Sequence, residues 1–471
     1  MSRPYVIETF ADAKGSVGAA RIVGGGGYGS QAANSVTGYG AVGDGITDDT
    51  AAIQSALDKG GLVYFPAKTY KIGSALKFES DTILFFEPGA TILQGAAINN
   101  LMRNKAGSTD GGYTATHNVR IIGATFDGGA YTTDNTLLMF THADNISIEH
   151  CTFKHGYGQY HDIEINSSRN VVVRGCSFDG SRRSGGNSEI IQIDALNNRA
   201  VYPFEDEGAV DGTPSKDIII DSCSFLVVVT GIGHHNSVAC ENVKITKCTF
   251  AGQGSYIMRA GIHLTHSTKV TIQDNTFVGL EYGVWMAGYA SYSIISNNTI
   301  SGGTKGIRVK GGGNIVFGNS FSGITSPVEV VQSPHADQNI NDGNLITGNA
   351  ATNCENDYEC PNGTVYANLI NGVFADKETV VTVSGSTPSI TPEDNHIYKC
   401  GELDSLTITD SPATGAYTVI FASGSTATVA TIPATVIFPG SGSLTVEADT
   451  RYEINVMDGY ATVQTWPAIS S

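Results

Sequence analysis

The sequence predicts an all-β chain organised around a right-handed parallel β-helix, and three observations carry that reading. One phrase recurs: an apolar pair, a small residue, then an aromatic. It begins as Asn118-Val-Arg-Ile…Ala124-Thr-Phe126 and returns from Asn145, Asn170, Asp217, Asn242, Lys269, Tyr292 and Gly313, ending at Phe321. The copies start 27, 25, 47, 25, 27, 23 and 21 residues apart, a period that belongs to solenoids. The alternation inside each copy is that of a strand, with no helical stripe. No copy buries its own apolar face, so copies must stack, about 4.8 Å apart. The Ala/Cys/Asn column (Ala124, Cys151, Cys176, Cys223, Cys248, Asn275, Asn298, Asn319) and the Phe column are then internal ladders.

Composition agrees. Of 471 residues, 57 are Gly and only 15% are charged, which suits short strands joined by many turns. The net charge of −18 argues against nucleic acid or an anionic membrane as partner and leaves a glycan open. No apolar run is long enough to span a bilayer. Met1 to Val6 lack the apolar core of a signal peptide, which predicts a start in the producer's cytoplasm and release by another route such as lysis. Four of the eight Cys occupy the repeat column, which reads as a ladder of buried thiols rather than a metal site. Cys354 and Cys360 are close enough in sequence to bridge.

Residues 1–36 are rich in Gly, Ala and Ser and read as a flexible attachment segment. The β-helix is expected over 37–350. It opens with a short amphipathic helix, 49–58, capped by Asp48 or Thr47 and burying Ala52, Ile53, Ala56 and Leu57 as a plug for the lumen. Strands follow at 62–65, 70–72, 76–78 and 82–86. Residues 351–385 read as a connector. From 386 to 471, short strands such as Tyr417-Thr-Val-Ile-Phe and Tyr452-Glu-Ile-Asn-Val predict a small β-sandwich.

Each repeat carries a further strand: His161-Asp-Ile-Glu-Ile-Asn166, Glu189-Ile-Ile-Gln-Ile-Asp194, Thr230-Gly-Ile-Gly-His-His235, Ala260-Gly-Ile-His-Leu-Thr265, Tyr282-Gly-Val-Trp-Met-Ala287 and Lys305-Gly-Ile-Arg-Val-Lys310. Strand alternation sends Glu164, Gln192, Gly233, His263, Trp285 and Arg308 outward in one column. Asn166, Asp194, His235, Thr265, Ala287 and Lys310 form the next. One face thus displays carboxylates, imidazoles, an indole and two cations. The 47-residue repeat holds a loop, 195–216, with Tyr202, Phe204, Glu205, Asp206, Glu207 and Asp211, expected to overhang this face. Its acidic residues leave a calcium site open, though their spacing is no EF-hand.

The stretch from Tyr39 to Leu93, "YGAVGDGITDDTAAIQSAL…GGLVYFPAKTYKI", resembles the opening of pectate-lyase-superfamily β-helix proteins, including phage tailspikes and polysaccharide-degrading enzymes. Asp44, Asp48 and Asp49 within it are assigned to turns and caps. The last 75 or so residues resemble C-terminal domains of phage tail proteins, which implies a homotrimer or glycan attachment. What these resemblances imply is a place on a virion tail, or outside the cell after release, and a bacterial polysaccharide as substrate. Gly231-Ile-Gly-His-His235 and Gly306-Ile-Arg-Val-Lys310 look like motifs of polygalacturonase-type hydrolases, although the Asn-Thr-Asp motif and the Asp-Asp pair of that family have no counterpart in place.

Glu164 and Asp194 are the leading acid–base pair. Adjacent rungs and a two-residue offset put their Cα atoms about 8 Å apart, and inverting glycosidases hold their carboxyl groups about 6.5–9.5 Å apart. Glu189 and Asp162 are alternative partners at the strand entrance. His161, Gln192, His235, His263, Trp285 and Tyr202 are candidates for binding sugar, and Arg308 and Lys310 for an acidic substituent. The expected activity is hydrolysis by a polysaccharide depolymerase, without a cofactor. The alternatives are a lyase using His263 or His235 with Arg308 and Ca²⁺, and a receptor-binding spike that cuts nothing.

Overall fold

The computed structural model describes residues 6–11, 17–23, 33–179, 181–183, 188–198, 208–227, 229–252, 260–288, 290–331 and 343–356 and, with short breaks, 358–467. It divides into two units, Met1–Gly372 and Val373–Ser471.

The first unit is a solenoid in which each turn contributes strands to successive parallel ladders. Among the described residues, thirteen strands of the first ladder follow one another from Asn34–Ser35 to Thr364–Tyr366, so pairing continues past residue 350. Its inward residues are the repeat's apolar pairs: Val119, Ile146, Val171, Ile218 and Val243 lie in register and are buried. The residue that opens each copy of the repeat phrase has a left-handed backbone, from Asn118 (φ 55°) through Asn145, Asn170, Asp217 and Asn242 to Lys269 and Tyr292. That corner explains the Asn and Asp at the start of the repeat, since their short polar side chains tolerate the conformation best after Gly. They also ladder outside, with Asn145 Nδ2 donating to Asn118 Oδ1 at 2.7 Å and Asn242 Nδ2 to Asp217 Oδ1 at 2.6 Å.

The second ladder carries the aromatic column. Rings from Phe126 to Phe277 stack with centroids 4.6–5.1 Å apart. The small-residue column beside it is buried as expected, first as thiols and then as amides. Asn275, Asn298, Asn319, Asn349 and Asn368 pass hydrogen bonds from Nδ2 to the next Oδ1 at 2.9–3.0 Å. The third ladder holds the polar strands. In Thr299–Val309 and Ser320–Val330 the second and third ladders fuse into single long strands. Gly261 marks how tightly the third ladder packs on the rings: a Cβ there would lie 2.5 Å from Phe277 Cδ1.

The plug is the helix Thr50–Leu57, with Ile53, Ala56 and Leu57 buried and Ala52 half-buried. Its N-cap position is Asp49, not Asp48 or Thr47. The Asp49 carboxylate turns away to accept from the backbone N–H groups of Val42 and Gly43 at 2.6 and 2.9 Å. Asp48 accepts instead from the Thr50 N–H at 3.0 Å, and Asp44 from those of Ile46 and Thr47. Each of the three Asp is therefore spent on local backbone. Within the N-terminal segment, Val6–Ala11 and Val17–Val23 pair as an antiparallel hairpin. The Cys354–Cys360 bridge involves Cys360, which lies outside the described residues.

The second unit has two sheets on one core of Leu406, Val419, Phe421, Tyr452 and Ile454. Its strand directions are mixed. Thr379–Val383, His396–Leu403 and Ala416–Ser423 run parallel, as do Ser389–Ile390, Ser405–Ile408 and Val429–Thr431. The chain thus alternates between the sheets before an antiparallel pair, Thr450–Met457 and Tyr460–Pro467, closes it. Among the described residues no helix is long and apolar enough to cross a membrane.

Candidate functional site

The third ladder places the expected outward column in one line. Met139, Glu164, Gln192, Gly233, His263, Trp285, Arg308 and Glu329 are successive register partners. Asn166 pairs with Asp194, and His235 continues the second column, its backbone N–H donating to Asp194 Oδ1 at 3.3 Å.

The rungs that carry the carboxylates are not a solvated wall. Glu164 is 8% exposed, Glu189 2%, Gln192 3% and Asp194 1%. Pointing away from the lumen is set by strand parity, whereas exposure depends on chain that parity does not place. Within this buried patch Glu164 accepts from Thr136 Oγ1 at 3.1 Å and Asn166 Nδ2 at 2.7 Å. Gln192 Nε2 donates to Asp194 Oδ2 at 2.9 Å. His235 lies between two acids, its Nδ1 3.3 Å from Glu189 Oε1 and its Nε2 3.5 Å from Asp194 Oδ2. His161 lies 3.4 Å from the other Glu189 oxygen.

Burial sets the protonation. It pushes the Glu164 carboxyl up, against the hydrogen bonds from Asn166 and Thr136. Burial also works against charge on His235, but the Glu189 hydrogen bond and the Asp194 charge outweigh it and raise its pKa to about 9. His161 is driven well below its ordinary value by burial and then by the Arg183 charge, so it stays neutral. His263 falls to about 4 through burial and the neighbouring His235.

Asp162 stands apart from this group. It is fully buried and bonded to Arg183 Nη2 at 2.7 Å, while Arg183 Nη1 donates to the carbonyls of Asn135 and Tyr157. Glu189 is more central than a strand-entrance position suggests. Its side chain lies over Gly233, where a Cβ would come 2.1 Å from Glu189 Cγ. The gap that Gly233 leaves in an otherwise filled column was the sequence signal for something lying across it.

The C-terminal rungs are more open. His263 stacks on Trp285 at 4.3 Å and Arg308 lies 5.5 Å from the centre of the same ring, so neighbours on both adjacent rungs engage the indole. Arg308 and Lys305 each approach Glu329 Oε2 at 3.2 Å. The Arg308 charge expected to meet an acidic sugar is therefore shared with a carboxylate one rung on. Lys310 follows at the strand end, half-buried.

Tyr202 lies outside the described residues, as do Phe204, Glu205, Asp206 and Glu207. The described remainder of that loop, 208–215, runs along the exit edge of the third ladder, with Tyr113 Oη donating to the Pro214 carbonyl and Asp211 accepting from the Gly112 N–H. Among the described residues no three His, Cys, Asp or Glu side chains are arranged to hold a metal ion.

Four buried acceptors around the cluster have no hydrogen-bond donor among the described residues: Gln192 Oε1, Asn166 Oδ1, Glu189 Oε2 and Asp162 Oδ2. The first three belong to residues that touch Glu164, Asp194 or His235. Burying such atoms without donors is costly, about 1–3 kcal/mol each. Hydroxyl groups of a bound ligand or water would satisfy them.

Comparison with known proteins agrees with this architecture. Residues 33–249 match the family model "Rhamnogalacturonase A/epimerase, pectate lyase-like", and residues 230–431 match "Right handed beta helix region". Plasmin and fibronectin-binding protein A of Streptococcus pneumoniae is 32% identical over 287 residues, covering 52% of this chain and 39% of that protein. The pre-neck appendage protein of Bacillus phage phi29 is 24% identical over 286 residues, 59% of this chain and 27% of that protein. The match thus spans well under half the length of either relative. An exopolygalacturonase from Thermotoga maritima superposes with a TM-score of 0.51 at 12% identity, covering 73% of this chain and 92% of that one. With three parallel ladders around a stacked lumen and these matches along its length, the chain is a right-handed parallel β-helix of the pectate lyase-like kind.

Proposed function

We propose that this chain is a polysaccharide depolymerase of a phage tail or appendage, hydrolysing glycosidic bonds of a bacterial surface glycan. Glu164 is the general acid and Asp194 the general base. One observation carries the reading: two carboxylates on adjacent rungs have opposed environments. Burial raises the Glu164 pKa and so favours its protonated form, while Asp194 faces the cationic His235. Environments that push two acids apart assign the acid and the base.

In this mechanism Glu164 gives its proton to the glycosidic oxygen as the bond to the anomeric carbon breaks. Asp194 takes a proton from the water that attacks that carbon from the opposite face. The products are a new reducing end and a free hydroxyl, and the two carboxyls return to their starting states by proton exchange with water. The rung offset, about 8 Å between Cα atoms, suits a water between the groups and so an inverting outcome. Gln192 Oε1 and Asn166 Oδ1 accept from sugar hydroxyls, and the His263–Trp285 stack borders the sugar.

A second reading, a spike that grips without cutting, is favoured by the burial of both carboxylates and by the relative named for binding plasmin and fibronectin. Incubation with capsular and cell-wall polysaccharides, following reducing ends and ultraviolet absorbance together, separates the readings. Reducing ends without absorbance are expected. Glu164→Gln and Asp194→Asn should each lower kcat by about 10²–10⁴-fold with the fold intact. Absorbance rising with the reducing ends would mean a lyase. Retention on the glycan with no product would mean a binding spike.

A further inference from the structure

A hollow of about 300 Å³ lies on the same side of the solenoid, lined by Ser74, Ala75, Ala97, Ile98, Asn99, Asn100 and Arg103. Its place relative to the carboxylates is fixed by register. Asn100 pairs with Thr136, whose hydroxyl bonds to Glu164, and Arg103 pairs with Met139, which pairs with Glu164. The hollow is thus two rungs, about 10 Å, on the N-terminal side of Glu164.

Its lining is chemically mixed. Ala75, Ala97 and Ile98 give an apolar wall, and Asn99, Asn100 and Arg103 bring amides and a guanidinium. Asn100 is 9% exposed, and its Oδ1 is buried with no hydrogen-bond donor among the described residues. An apolar wall with a few convergent polar groups, in a volume at the lower end of small-molecule sites (about 300–1,000 Å³), is the composition expected of a ligand site. A pyranose ring offers both halves of the match, an apolar C–H face and hydroxyl donors.

We propose that this hollow is a second glycan subsite, which holds a sugar unit of the chain whose scissile bond lies at Glu164 and Asp194. A sugar hydroxyl donates to Asn100 Oδ1 and the ring's apolar face lies on Ala75, Ala97 and Ile98. Met139 on the intervening rung is itself buried, so the glycan passes outside it rather than along the bare strand. The polysaccharide then runs parallel to the solenoid axis, and the part over the protein's N-terminal rungs is anchored here. This rests on the depolymerase reading for the direction of the chain, but the hollow's affinity for sugar does not require cleavage.

The test uses the full chain in a Glu164→Gln background, so that binding is read without turnover. Ala97→Trp fills the hollow from its exposed rim, and Asn100→Leu removes the open acceptor. Both should weaken Kd for the long polysaccharide roughly tenfold, about 1.4 kcal/mol. Both should leave unchanged the Kd of fragments too short to reach from the carboxylates to Asn100. Unchanged affinity for the long chain in both variants, with each folded by circular dichroism, overturns the subsite. Equal losses for long and short ligands overturn it as well, because the change would then act at the carboxylates. Cleavage is scored separately in the single variants. Turnover that survives Glu164→Gln while Ala97→Trp still weakens long-chain binding would reject the acid assignment and keep the subsite.

Discussion

Two sets of buried amides in the solenoid are built to opposite ends. In the lumen the ladder Asn are bonded through both ends of the amide, and Asn298 uses its full valence. Asn298 Nδ2 donates to Asn319 Oδ1 and to the Ile272 carbonyl, and its Oδ1 accepts from the Asn275 backbone and side chain. On the third ladder Asn166 and Gln192 are just as buried, yet each leaves its amide oxygen without a donor among the described residues. A stacked amide with every bond made is a structural element, and one with an oxygen left over has an acceptor that a water or a ligand hydroxyl would satisfy. Burial alone does not separate the two.

The largest effect is expected where a fully buried ion pair holds charge. Arg183→Met would leave Asp162 buried without its cation and should cost about 3–5 kcal/mol in urea unfolding. Asp162→Asn with Arg183→Met should recover part of that loss. A single variant as stable as the parent would mean that Asp162 is neutral in the fold and that the pair is not an ion pair.

Next comes the lumen. Asn298→Leu removes one link and strands bonds on both neighbours, a loss of about 2–4 kcal/mol, with glycan turnover at low temperature preserved. Gln192→Leu is the counterpart on the third ladder. It deletes an oxygen that has no donor to lose and removes one bond, from Nε2 to Asp194 Oδ2, so it should cost about 1–2 kcal/mol, less than Asn298→Leu, while weakening glycan binding about tenfold. If Gln192→Leu destabilises as much as Asn298→Leu, the open amide is structural and the contrast fails.

How much of this was legible differs by column. The period, the Phe stack and the outward register from Glu164 to Arg308 were readable because strand parity and rung stacking fix them without reference to anything else. The left-handed corners were written in the recurring Asn, but only the backbone shows that Asn118, Asn145 and Asn170 are there for their conformation. The burial of Glu164 and Asp194 was not legible, since parity gives direction and not cover. Arg183 was missed because it enters from a short side strand, Arg182–Arg183, outside the repeat. Glu329 was missed because Pro327 made its rung look like the end of the pattern, although Ser320–Val330 continues both ladders. Asn100 was missed because the repeat phrase begins only at Asn118, after the strand that holds it, and Thr136 because the polar strands were aligned only from His161 onward.

The smallest predicted effect tests the boundary between the two kinds of network, because His235 belongs to both. It is bonded to Glu189 and Asp194 like a structural group, yet about three-tenths of its side chain remains exposed. Its pKa is raised from 6.5 to about 9 in the folded chain. A group raised on folding adds stability that is fully present below its unfolded pKa, near 6.5, and is lost as pH rises through 9. The melting temperature of the parent should therefore fall between pH 7 and pH 10 relative to that of His235→Gln, which lacks the titrating group. Parallel curves for the two proteins across that window would mean that His235 is neutral, which would also remove the positive charge that holds Asp194 ready as the base. A fall that appears in the parent alone and shrinks when a glycan fragment is bound would show the sugar and the imidazolium competing for the same carboxylates.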